Sequence, residues 1–137
     1  MNASEKIHYT GKTHTTAGGR NGSSRSTDGR LDIRLSSPGG LGTNPEQLMA
    51  AAWSACFIGA IGKAAEKYAV VLPDDVAVDA EIDLASGHAG YHLKARLNVS
   101  LPGLDPDVSM VLIGVAHETC PYSKATRGNI DVAIRLV

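Results

Sequence analysis

Aromatic side chains and net charge are both scarce in this chain. One Trp, four Tyr and one Phe are spread over 137 residues, so alanine and the aliphatic residues must fill the core. Basic and acidic residues nearly balance at 13 and 14, which leaves no electrostatic footprint for nucleic acid or an anionic membrane. The N-terminal segment lacks the apolar stretch of a signal peptide, and no window approaches the ~20 apolar residues of a membrane span. We therefore expect a cytoplasmic protein.

Cysteine is almost as rare, since the chain has only Cys56 and Cys120. Two cysteines in a cytoplasmic chain argue against a disulfide scaffold and leave redox chemistry, metal binding or inert burial. Cys56 lies at the centre of the apolar stretch AAAWSACFIGA, where burial raises the pKa of a thiol and makes it inert unless a cation is close. Cys120 directly precedes a proline at a predicted helix end, where a thiol can move as a resolving cysteine must.

Hydrophobic periodicity predicts an α+β fold in a single domain, residues 1–137, with the order β-β-β-α-β-β-α-β. The chain has no βαβ run of the kind that nucleotide-binding folds use. The first predicted elements are a strand over 6–16 and two strands joined at Asp28-Gly29 within 23–36. A helix follows from Pro45 to about Tyr68, and then an antiparallel hairpin of 74–85 and 91–101. A second helix, which Asp105 caps and Cys120-Pro121 ends, leads to a last strand over 129–137.

The first predicted helix is apolar on almost every side, which predicts that most of it is buried. Gly59 and Gly62 lie on nearly one side of it and permit a close helix neighbour, such as a helix of a second chain.

Two charged residues are candidates for activating Cys56. Arg20 lies in the glycine-rich turn GGRNG, and a guanidinium near a thiol favours the thiolate; an exposed turn arginine is the simpler interpretation. Glu46 lies in the first turn of the Cys56 helix, where the macrodipole already favours acidic residues, and it could orient Arg20. Ten residues of helix separate Glu46 from Cys56 by ~15 Å. A cluster of the three therefore predicts a dimer in which two such helices cross.

Metal binding has little support in the sequence. His117 and Cys120 are three residues apart near a helix end, but no second pair completes a zinc site. His88 and His92 flank a predicted turn rather than sharing a helix face. We expect no metal and no bound cofactor.

Three segments together carry a family resemblance: GGRNG, NPEQLMAAAWSACF and TCPYSKATRGNIDV. In order and spacing they resemble the organic hydroperoxide resistance (Ohr) proteins of the Ohr/OsmC family. The resemblance implies antiparallel sheets wrapped around long central helices in an intertwined homodimer. It also implies a thiol peroxidase for alkyl and fatty-acid hydroperoxides, with Cys56 matching the peroxidatic cysteine and Cys120 the resolving one. Arg20 and Glu46 match the polar partners of the first thiol.

The implied cycle passes through a Cys56 sulfenic acid and a Cys56–Cys120 disulfide, which dihydrolipoamide or a lipoylated protein reopens as co-substrate. Met49, Trp53 and Phe57 are expected to line an apolar substrate pocket, with Trp53 standing where a tyrosine is commoner. Two alternatives stay open: an OsmC-type peroxidase with other peroxide preferences, and a non-enzymatic dimeric protein that binds apolar ligands and carries a structural disulfide.

Overall fold

The computed structural model describes residues 4–16 and 21–137. The chain divides into two compact units, Met1–Pro45 and Glu46–Val137, and each is described by itself.

The first unit contains a three-stranded antiparallel sheet of β1 (Thr13–Thr15), β2 (Ser23–Ser26) and β3 (Asp32–Arg34), in that order. The predicted hairpin at Asp28-Gly29 is confirmed. Gly29 has a φ of 74° and donates its N–H to the Ser26 carbonyl, a conformation that glycine adopts without steric cost. The strand predicted over 6–16 is shorter, because only its last residues pair with β2. The GGRNG segment around Arg20 lies mostly outside the described residues.

The second unit is built on a sheet of order β4-β5-β6. Strands β4 (Ala77–Gly87) and β5 (Gly90–Ser100) form the predicted antiparallel hairpin, with Ile82 opposite Ala95. Strand β6 (Asp131–Leu136) pairs with β5 in parallel. The sheets are antiparallel as expected except at this strand, where the helical connection between β5 and β6 returns the chain to the same end of the sheet.

The helices follow the predicted boundaries closely, with one addition. Helix α1 spans Pro45–Lys67, and α2 spans Pro106–Thr119. The Asp105 carboxylate accepts hydrogen bonds from the first turn of α2, and Cys120 ends that helix with φ −61° and ψ 123°. A further six-residue helix, α3 (Pro121–Thr126), was not predicted, because PYSKAT is too short to show helical periodicity. The element order is therefore β-β-β-α-β-β-α-α-β.

The core of the second unit forms where α1 and α2 pack against one face of the sheet. Its buried side chains are Trp53, Phe57, Ala60, Ile61, Ala95, Leu97, Val99, Leu101, Ile113, Ala116 and Cys120. Because the core is mostly aliphatic, the expectation drawn from the scarcity of aromatic residues is met. Its two aromatic side chains both come from α1.

Helix α1 is less buried than predicted. Only six of its 23 residues are buried in this chain, and a Cβ built on Gly59 or Gly62 meets no atom within 4 Å. The helix is also long and apolar enough to cross a membrane by length and composition, since an 18-residue window of it has a mean hydropathy of 1.5. The length and composition of this segment alone therefore do not exclude a membrane span. The packing of Trp53, Phe57 and Ile61 against the sheet is that of a core helix.

Loss of the α2 cap should lower stability measurably. Asp105→Ala removes the acceptor of two backbone N–H groups, and we expect the free energy of unfolding to fall by about 1 kcal/mol. Urea unfolding at fixed protein concentration measures the change. Asp107→Ala is the matched control, because Asp107 lies in the same turn and contributes only a macrodipole effect of a few tenths of a kcal/mol. Equal losses in the two variants would contradict the capping role.

Candidate active site

The two cysteines meet although 64 residues separate them. Cys56 lies in the middle of α1, and Cys120 lies at the junction between α2 and α3. Their Sγ atoms are 3.3 Å apart, the distance of a thiol–thiol hydrogen bond, and both cysteines are free thiols. The pair can therefore form a disulfide after a small movement of either side chain.

Burial of the two thiols is the reverse of what the sequence suggested. Cys56, expected deep in an apolar helix, is partly exposed, whereas Cys120, expected to be mobile at a helix end, is 0% exposed. Burial raises the pKa of Cys56, the neighbouring Cys120 thiol adds to the rise, and the backbone N–H of Tyr122 opposes it. A raised pKa favours the protonated thiol of Cys56, whereas a nearby cation would favour the thiolate that acts as a nucleophile.

A second contact joins the two segments that carry the cysteines. Trp53 Nε1 donates a hydrogen bond of 3.2 Å to Ser123 Oγ, and both side chains are fully buried. Trp53 lies three residues before Cys56, and Ser123 lies three residues after Cys120. Sequence reasoning missed Ser123, because nothing in the sequence marks a serine in a short segment as the partner of an indole 70 residues away.

An open cavity of about 380 Å³ lies next to Cys56. Its lining residues are Cys56, Gly59, Ala60, Lys63, Thr119 and Pro121. Of the predicted pocket residues, Met49 packs against the core while Trp53 and Phe57 are fully buried within it. Neither side chain lines the cavity, and their role as pocket walls stays a prediction.

Of the two predicted charge partners of Cys56, only Glu46 lies within the described residues. Arg20 lies outside the described residues. Glu46 is half-buried in the first turn of α1, ten residues and therefore ~15 Å along the helix axis from Cys56. The cluster of Arg20, Glu46 and Cys56 stays a prediction.

Other titratable groups near the cysteines form no metal site. No group of three or more His, Cys, Asp or Glu side chains that could hold a metal occurs within residues 4–16 and 21–137. Burial, and then the Arg127 charge, lower the pKa of His117 near the end of α2, which favours the neutral imidazole.

Comparison with known proteins places these features in one family. Residues 37–135 match the family described as OsmC-like protein. The chain is 43% identical to the organic hydroperoxide resistance protein of Xanthomonas axonopodis pv. citri (strain 306), over 99% of both chains.

Solved structures agree with the sequence comparison. The crystal structure of an organic hydroperoxide resistance protein from Legionella pneumophila superposes with a TM-score of 0.89 at 38% identity, covering 96% of this chain and 98% of that one. OhrB of Bacillus subtilis superposes with a TM-score of 0.88, also at 38% identity, covering 94% and 98%. Family match, full-length identity and shared fold agree, and they show that the chain belongs to the Ohr/OsmC family of organic hydroperoxide resistance proteins.

Proposed function

We propose that this protein is a cysteine peroxidase that reduces organic hydroperoxides to alcohols. The observation that carries the proposal is the pair of free thiols 3.3 Å apart, with an open cavity beside the more exposed one. The names of the relatives support the substrate class, because they are organic hydroperoxide resistance proteins. The whole chain, 1–137, acts in this proposal as one Ohr/OsmC-like domain in the cytoplasm.

In the first step, the Cys56 thiolate attacks the outer oxygen of the hydroperoxide. The O–O bond breaks, an S–O bond forms, and the leaving alkoxide takes up a proton to give the alcohol. Cys56 is oxidised to a sulfenic acid while the peroxide is reduced. Cys56 suits this role better than Cys120, because it is the partly exposed thiol and lines the cavity.

In the second step, Cys120 attacks the Cys56 sulfur. A disulfide forms, the S–OH bond breaks, and the hydroxide leaves as water with the thiol proton of Cys120. A disulfide places its sulfurs about 2.05 Å apart, so the thiols must approach by roughly an ångström from their contact distance. An external dithiol then reopens the bond by exchange. The family resemblance makes dihydrolipoamide or a lipoylated protein the reductant, with no cofactor bound to the enzyme.

The reaction needs a positive charge at Cys56, because burial holds the pKa of this thiol above its usual value. Arg20 is the candidate on the family pattern, with Glu46 orienting the guanidinium. A bidentate pair between them would fix the planar group in one direction, which a lysine could not reproduce.

The cavity favours a substrate with an apolar body. Its surface is mostly apolar, with Gly59, Ala60 and Pro121 among the lining residues beside Lys63 and Thr119. Hydrogen peroxide gains nothing from such a wall, whereas an alkyl group that leaves water on binding gains ~25 cal/mol for each Å² of apolar surface. We therefore expect organic hydroperoxides to be preferred over hydrogen peroxide.

A homodimer is part of the proposal. Ala51, Ala55 and Gly59 are exposed and recur every four residues, so α1 presents an exposed face of small residues. A second α1 could approach such a face closely. The intertwined dimer of the family would bury it and bring Glu46 of one chain nearer to Cys56 of the other.

A non-enzymatic apolar-ligand protein with a structural disulfide is the second candidate, and the open cavity is the observation that favours it. A binder would lose stability, not peroxide turnover, when a cysteine is replaced. An OsmC-type peroxidase differs instead in its order of preference among peroxides, which a comparison of cumene hydroperoxide with hydrogen peroxide measures.

Replacement of each cysteine should separate the two chemical steps. Cys56→Ser removes the nucleophile, and we expect no consumption of cumene hydroperoxide above background. Cys120→Ser should still form the Cys56 sulfenic acid, but we expect its steady turnover with dihydrolipoamide to fall well below that of the wild type, because the Cys56–Cys120 disulfide cannot form. Peroxide consumption is measured with the three proteins side by side. Full turnover by Cys56→Ser would overturn the proposed function, and a binder would show no consumption in any of them.

Removal of the guanidinium should raise the pKa of Cys56. For Arg20→Ala we expect the pH profile of iodoacetamide alkylation to move upward, and peroxide reduction at pH 7 to slow by roughly one to two orders of magnitude. The measurement is made in the Cys120→Ser background, so that a single thiol reacts. Arg30→Ala is the control, because Arg30 is an exposed arginine of the β2–β3 turn. An unchanged profile in Arg20→Ala would exclude Arg20 as the activating cation.

A bulky charge on the small-residue side of α1 should disrupt the dimer without straining the single chain. A Cβ at Gly62 has no neighbour within 4 Å, so Gly62→Glu fits inside the chain but not beneath a closely packed second helix. Sedimentation should show a dimer for the wild type and a monomer for the variant. Gly114→Glu is the matched control on α2, where a Cβ is equally free. A monomeric wild type, or a dimeric Gly62→Glu protein, would contradict the proposed interface.

A further inference from the structure

The buried hydrogen bond between Trp53 and Ser123 runs beside the cysteine pair. Trp53 precedes Cys56 by three residues on α1, so the indole and the thiol are neighbours on one side of the helix. Ser123 follows Cys120 by three residues, within the single turn and a half of α3. The two cysteines and these two residues therefore form parallel links between the same two segments, with contacts of 3.3 Å and 3.2 Å.

We propose that Trp53 and Ser123 are positioning residues that hold the resolving thiol of Cys120 against Cys56. The proposal rests on the proposed peroxidase function and deepens it. Through this bond the structure assigns a role to two buried side chains that do not line the cavity beside Cys56.

The local geometry explains why Cys120 needs such a link. The carbonyl of Ala116 accepts its N–H, and its own carbonyl accepts the N–H of Lys124, so its backbone belongs to the end of α2 and the start of α3 at once. A helix of six residues has little stability of its own, because nucleation is costly and few bonds follow it. The position of Cys120 relative to α1 therefore depends on what fastens α3 to the core.

The indole supplies that fastening at low cost in entropy. Trp53 is 0% exposed and packed in the hydrophobic core, so its Nε1 is held in one place before Ser123 meets it. Ser123 is also 0% exposed, and without the bond an indole N–H and a hydroxyl would be left unpaired away from water. Such a pair resists any outward movement of α3. The backbone N–H of Tyr122, which acts on the Cys56 sulfur, is carried by the same turn.

The consequence concerns the fate of the Cys56 sulfenic acid. Attack by Cys120 gives the disulfide and water. Attack of the sulfenate on a second hydroperoxide instead cleaves another O–O bond, gives a sulfinic acid and an alcohol, and is not reversed by a dithiol. A resolving thiol held in contact favours the first route. When the hydrogen bond between Trp53 and Ser123 is lost, Cys120 spends less time at contact distance, so a larger share of the sulfenic acid is oxidised to sulfinic acid.

Substitution of either partner should change the ratio of disulfide to sulfinic acid. Ser123→Ala removes the acceptor and Trp53→Phe removes the donor, and each reduced variant is treated with excess cumene hydroperoxide. Intact-mass spectrometry separates the two products cleanly, because the chain has no other cysteine. We expect the ratio to fall roughly three- to tenfold in each variant, the factor that one neutral hydrogen bond contributes. In the double variant Trp53→Phe/Ser123→Ala, the ratio of disulfide to sulfinic acid should fall no further than in the single variant with the larger fall. Both changes break the same hydrogen bond, so their effects should not add.

Matched variants separate positioning from a general loss of stability. Thr126→Val removes a buried hydroxyl of α3 that bonds only within that helix, so its product ratio should stay at the wild-type value. Ser123→Thr keeps the hydroxyl that accepts the hydrogen bond, so its ratio of disulfide to sulfinic acid should match that of the wild type. The emission of Trp53, the only tryptophan, should shift in Ser123→Ala but not in Thr126→Val. If Ser123→Ala does not fold, Trp53→Phe carries the same test.

The outcomes distinguish this inference from the proposed function. A wild-type protein that yields neither disulfide nor sulfinic acid would overturn the peroxidase itself. A wild-type protein that forms the disulfide, with Ser123→Ala and Trp53→Phe forming it in the same ratio to sulfinic acid, would overturn only the positioning role. The positioning role would also be overturned if the ratio of disulfide to sulfinic acid fell equally in Thr126→Val. Strictly additive effects on that ratio in the double variant would overturn it as well.

Discussion

The packing of α1 against the junction between α2 and α3 is the constraint on which the site depends. It places Cys56 and Cys120, 64 residues apart in the chain, at a sulfur–sulfur distance of 3.3 Å. The same packing excludes water from Cys120 and partly from Cys56, so the contact that makes a disulfide possible also raises the pKa of the Cys56 thiol. Proximity and reactivity therefore oppose each other here, and a cation is the physical means of reconciling them.

Local signals in the sequence were strong enough to predict most of the fold. The Asp28-Gly29 turn, the Asp105 cap and the break at Cys120-Pro121 each act within a few residues, and each is found in the structure. The parallel pairing of β6 could not be read in the same way, because pairing direction depends on the path of the chain between strands. Helix α3 was not predicted, because a turn and a half of helix contains too few apolar positions to show a helical period.

The site was predictable only in outline. Family motifs singled out the two cysteines, which the structure brings into contact, but residue types alone left an inert core thiol as a reasonable interpretation of Cys56. The predicted order of exposure of the two thiols was inverted, because a residue in an apolar helix can still lie on the exposed side of that helix. Ser123 had no signal at all, because its partner is defined by tertiary packing against Trp53.

The open side of α1 connects the fold to the chemistry. A helix apolar on nearly all sides that buries only six residues leaves apolar surface in water, which is unfavourable unless another surface covers it. A second copy would do so, and would also lower the dielectric around Cys56. Coulombic attraction between a guanidinium and a thiolate grows as the effective dielectric falls, so covering this face strengthens the cation as well as the fold. In the proposed dimer, the covering of α1 and the activation of Cys56 would be two effects of one packing event, and a monomeric variant should be a weaker nucleophile even with Arg20 intact.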